Sequence, residues 1–159
     1  MIGKQGHGDY LCGIYALANA ILDDVYPEKR GGKARAAFRL LIQSVETLGF
    51  LDARHLLHGF DAFELIEVFN LTASNQKIAK LAVHVADFAG GDIQKVTSKV
   101  FDKIFLDGGK IVWWNPVSDH WVLVIKRDGS CIDSWPEISE DSINLKKGPA
   151  VVIIPRAVD

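Results

Sequence analysis

The chain has 159 residues, 48% of them hydrophobic and 24% charged, with a formal net charge of −2. That length and balance fit one folded domain over 1–159 and exclude a disordered or low-complexity chain. The near-neutral charge argues against nucleic acid or an anionic membrane surface as the main partner, and no run of about 20 apolar residues offers a spanning helix.

The chain begins MIGKQGHGDYL, which lacks the apolar core of a cleaved secretory signal. The expected location is the cytoplasm of the producing cell, or export by a route that uses no cleaved signal. Two cysteines, Cys12 and Cys131, form neither a disulfide framework nor a zinc-ligand spacing.

Residues 12–24 follow as the first predicted helix. Ile14, Leu17, Ala18, Ile21 and Leu22 fall on one face at helical spacing. Pro27 and Gly31-Gly32 predict a break. A second helix is predicted over 33–48, with Ala37, Leu40, Leu41, Val45 and Leu48 inward and Gly49 as its stop. Residues 52–60 read as a short helical turn or a loop. A third helix is predicted over 61–70, with Asp61 as N-cap.

LAVHV (81–85) alternates like a strand, Gly90-Gly91 ends it, and residues 92–106 carry helical spacing again. The last third changes character. KIVWWNP (110–116), HWVLVIKR (120–127), SCIDSW (130–135) and AVVIIP (150–155) are β-branched and aromatic runs separated by turn residues. Asp128-Gly129 is a hairpin signal. Pairing Arg127 with Ser130 puts Asp133 opposite Val124 and His120 opposite Glu137. Helices followed by an antiparallel sheet make the expected fold class α+β.

Cys12 stands between a glycine-rich loop and the first helix. An isolated cysteine is most often a small buried hydrophobe. At a helix N-terminus, however, unpaired N–H groups and the helix dipole favour a negatively charged sulfur, the form that attacks a carbonyl. Gly13 beside it would leave room for a substrate backbone. A partner base is usually distant in sequence and near in space. His120 opens a predicted strand, and Asp133 on the next strand is placed to orient an imidazole. Gln5, upstream of the cysteine, offers an amide to an oxyanion, with the Cys12 N–H as second donor.

The remaining histidines carry less. His7 lies in a flexible glycine-flanked loop, and His84 in an apolar strand. His55 and His58 have H-x-x-H spacing but no third ligand nearby, so no metal and no cofactor are expected. Trp113, Trp114, Trp121 and Trp135 crowd the predicted sheet, at least two of them as core.

Taken together, Gln5, CGIYALANAI, DHWVLVI and CIDSW resemble the papain-like cysteine peptidases, and more closely the compact bacterial C39-like peptidases. The order Gln, Cys, His, Asp is similar to that family's. So is an N-terminal helical half, with the nucleophile at a helix N-terminus, packed on a C-terminal antiparallel sheet. The resemblance is specific near 5–17 and 119–135 and leaves 25–110 unmatched. It implies a thiol peptidase or isopeptidase in which Cys12 attacks a peptide amide, His120 moves the proton, Asp133 orients His120, and Gln5 stabilises the oxyanion. The partner would be a peptide or protein substrate. Other acyl chemistry on the same residues (glutamine deamidation, transglutamination or acyl transfer) stays open, as does a binding module that has kept the fold without turnover. Oligomeric state is not legible.

Overall fold

In the computed structural model the described residues are 10–25, 30–74, 83–86, 104–106, 108–115, 120–124, 131–132 and 150–155. Four helices and five strands occupy them: α1 (Cys12–Val25), α2 (Arg30–Thr47), α3 (Ala53–His58), α4 (Ala62–Ala73), β1 (Val83–Ala86), β2 (Lys110–Asn115), β3 (His120–Val124), β4 (Cys131–Ile132) and β5 (Ala150–Pro155). The class is α+β, with helices first and an antiparallel sheet after them.

Local signals account for most helix ends. α2 stops where Gly49 takes φ +77°, a left-handed conformation that costs a glycine nothing. The Phe50 amide then reaches Val45 O at 2.9 Å and the Gly49 amide reaches Glu46 O at 3.0 Å, the two bonds of a Schellman closure. α4 starts on Asp61, whose carboxylate accepts from the Phe63 and Glu64 amides, while Glu64 reaches back to the Asp61 amide. That reciprocal pair is a capping box, and the helix runs three residues past the predicted end, to Ala73, with the Ser74 amide closing on Asn70 O. The predicted break at Gly31-Gly32 does not occur. α2 begins at Arg30 and runs through both glycines. Glycine costs about 1 kcal/mol in a helix interior, which packing of the fifteen residues that follow in α2 can offset.

The sheet is ordered β1-β5-β2-β3-β4, and every neighbouring pair is antiparallel. β2 and β3 pair from Ile111 with Val124 to Asn115 with His120. The predicted β3–β4 register is wrong by two residues: Val124 pairs with Cys131, and Leu123 with Ile132. A slip of one residue would turn a strand's side chains over, whereas a slip of two leaves each on its own face. Hydrophobic patterning therefore cannot tell these two registers apart.

α1 is the centre of the molecule. A single inward stripe was the sequence expectation, yet Ala16, Asn19 and Ala20 are as deeply buried as Leu17 and Ile21. The helix is covered all round because α2 and α4 pack on one side and β2 and β3 on the other. Small residues on its second stripe allow that double coverage. Along β3, Trp121 and Leu123 join the core that contains α1, together with Val112, Val151 and Ile153 from the neighbouring strands. His120, Val122 and Val124 alternate onto the opposite face, which is also buried. Lys110 is buried too, and its ammonium donates to the Ala20 carbonyl at 3.2 Å, tying β2 to α1.

Candidate active site

Cys12 is the first residue of α1 and carries a free thiol. The helix's first bond runs from the Tyr15 amide to Leu11 O at 2.9 Å. The amides of Cys12, Gly13 and Ile14 thus have no acceptor within the helix and mark its electropositive end. Cys12 is 6% exposed and belongs to the core cluster.

Gly13 does not leave open space for a substrate, as its position after the cysteine had suggested. A Cβ built there would lie 2.8 Å from Leu65 Cδ2 and 3.3 Å from Trp121 Cδ1. The missing side chain is the condition for close packing of α1 against α4 and β3. This contact joins the two sequence motifs, since Gly13 follows Cys12 and Trp121 follows His120.

A third element closes the same end of the molecule. Between α3 and α4 the chain turns through Gly59, at φ +75°, and Phe60. The absent Cβ of Gly59 would lie 3.1 Å from the Tyr10 carbonyl, two residues before Cys12. The Phe60 carbonyl accepts the Trp121 indole N–H at 2.9 Å. Tyr10, Gly59, Phe60, Leu65 and Trp121 therefore frame the start of α1.

His120 is the first residue of β3, paired with Asn115 of β2, and it is buried. Strand alternation sets it on the face away from Trp121. The structure thus brings the His120 backbone to the Cys12 end of α1. Gln5 and Asp133 lie outside the described residues, as do His7 and Trp135. Of the tryptophans, Trp113 and Trp121 are core.

The H-x-x-H spacing offers His55 only as a metal ligand, and the structure gives it different company. Its Nδ1 lies 2.7 Å from Asp52 Oδ1, and its Nε2 3.1 Å from Glu64 Oε1. Arg54 donates to the same Glu64 oxygen at 2.7 Å. Burial would raise the Glu64 pKa, but the Asp61 amide, the Arg54 guanidinium and the His55 ring outweigh it and hold the carboxyl below its ordinary range. Asp52 is lowered as well, by the His55 amide first and then by the His55 ring. The sequence signals for this cluster are Asp52 three residues before His55 and Glu64 in the capping box, not the H-x-x-H spacing. Among the described residues, no group of three His, Cys, Asp or Glu could hold a metal ion, and no helix is long and apolar enough to cross a membrane.

No protein-family model, no curated protein and no solved structure matches this chain.

Proposed function

We propose that this protein is a thiol hydrolase of the papain-like kind, acting on a peptide or isopeptide amide. The observation that carries the proposal is the Gly13–Trp121 contact, which sets the cysteine at the start of the buried central helix beside the strand that begins with His120. In this mechanism His120 takes the Cys12 proton, and the sulfur adds to the amide carbonyl. The oxyanion is met by the Cys12 amide at the helix end and by Gln5. His120 then gives its proton to the leaving amine as the C–N bond breaks, leaving a thioester. Water, deprotonated by His120, releases the acid and restores the thiol. Asp133 orients the imidazole. The mechanism needs the His120 imidazole within hydrogen-bond reach of the Cys12 sulfur.

A thiol-directed covalent probe tests this directly. Wild-type protein is expected to be labelled at Cys12, with labelling abolished in Cys12→Ala and reduced by at least about a hundredfold in His120→Ala. Equal labelling of wild type and His120→Ala would overturn it. Product mass spectrometry with peptide substrates separates backbone hydrolysis from side-chain deamidation or acyl transfer.

A second reading has its own support. Cys12 is 6% exposed and belongs to the core cluster. That arrangement favours a binding module with the same framework and no turnover, in which Cys12 packs as a small apolar residue. In that case wild-type Cys12 would resist the probe in the folded state and react only on unfolding.

A further inference from the structure

The polar cluster around His55 is more elaborate than the two helix starts near it need. Asp52 alone caps α3 by accepting the His55 amide at 2.9 Å, and Asp61 with Glu64 caps α4. Yet the imidazole is held at both nitrogens, by Asp52 at 2.7 Å and Glu64 at 3.1 Å. One face is covered as well: Phe50 stacks on the ring with centroids 4.8 Å apart, and Phe60 lies tilted beside it at 5.2 Å. His55 is only 3% exposed, so the ring has been removed from water and given one orientation.

That orientation passes to the frame of Cys12. Phe60, against the His55 ring, presents its carbonyl to the Trp121 indole at 2.9 Å. The Gly59 amide donates back to His55 O at 2.9 Å, and Gly59 itself lies against Tyr10. Trp121 in turn packs where Gly13 lacks a side chain. A continuous set of contacts therefore runs from His55 through Phe60 and Trp121 to the residue after Cys12.

We infer that His55 is a positioning residue: held by Asp52 and Glu64, its ring sets the Gly59–Phe60 corner that anchors Trp121 and hence the spacing between the start of α1 and β3. The inference rests on the thiol reading for its functional meaning, but its structural core does not need that reading.

The test uses the full chain and two separate signals. The first is the Trp121 indole N–H, assigned by its loss in Trp121→Phe and followed by its cross-peak position and hydrogen exchange. The second is the rate of Cys12 alkylation by iodoacetamide. His55→Phe keeps an aromatic ring and removes both polar contacts; Asp52→Asn and Glu64→Gln weaken them singly and serve if His55 variants do not fold. Thr72→Val, on the far half of α4, controls for general loss of stability. His55→Phe is expected to shift the indole cross-peak, to speed its exchange by at least about tenfold more than Thr72→Val does, and to change the alkylation rate severalfold, with the cross-peak position and alkylation rate of folded Thr72→Val unchanged. Unchanged indole protection in folded His55→Phe, or an equal loss in Thr72→Val, would overturn the inference. If wild-type Cys12 does not react in the folded state, the thiol reading fails, and the indole signal still decides the role of His55.

Discussion

Trp121 donates its indole N–H to the carbonyl of Phe60 at 2.9 Å, across sixty-one positions of sequence. This bond is buried and joins β3 to the corner between α3 and α4. Removing the donor would leave a buried carbonyl without its partner and open space beside Gly13. Trp121→Phe is therefore expected to lower stability by about 2–4 kcal/mol, read as a lower midpoint in urea with an unchanged slope. A loss under about 0.5 kcal/mol would show that the indole bond does not hold that corner.

A second buried bond links α2 to α4. The Ser44 and Thr72 hydroxyls lie 2.8 Å apart, and each also reaches a backbone carbonyl of its own helix, Ser44 to Leu40 O at 3.2 Å and Thr72 to Val68 O at 2.7 Å. Ser44→Ala and Thr72→Val should each cost about 1–2 kcal/mol, since each leaves the other hydroxyl short of a partner. The double variant should cost clearly less than the sum, by about 0.5–1 kcal/mol. Simple additivity in a double-mutant cycle would count against the pairing.

Asn19 poses the opposite case. It is 2% exposed in the middle of α1, and neither its Oδ1 nor its Nδ2 has a hydrogen-bond partner among the described residues. Leucine matches its branched shape without polar atoms. Asn19→Leu is expected to raise stability by about 1 kcal/mol, seen as a higher thermal midpoint. A fall of more than about 1 kcal/mol would indicate a buried water bound to that amide.

The carboxylates around His55 set an acid limit. Glu64 and Asp52 both have pKa values below the ordinary ones, 4.5 and 3.8. A lowered folded pKa means that the group's contribution is complete above the ordinary value and is lost as pH falls through the lower, folded one. Stability should therefore decline below about pH 4.5. Glu64→Gln is expected to be less stable than wild type at pH 7 and to converge on it toward pH 3. A constant gap between the two across that range, followed by urea unfolding, would refute the assignment.

The amino-acid pattern alone determined the elements that depend on near neighbours. Asp61 with Glu64 three residues on, Gly49 after an apolar run, and the four β-branched runs of the last third each act through the backbone within a few positions, so α2, α4 and the strands were legible. It also singled out Cys12 and His120 as residues at the openings of a helix and a strand. Tertiary structure alone decided three further points. It covered α1 on both sides, which one stripe of leucine and isoleucine cannot announce when alanines fill the other. It chose between β3–β4 registers that patterning leaves equivalent. It filled the space at Gly13 with Leu65 and Trp121. These outcomes depend on what lies across a packing interface, and side chains meet there by shape and volume rather than by spacing along the chain.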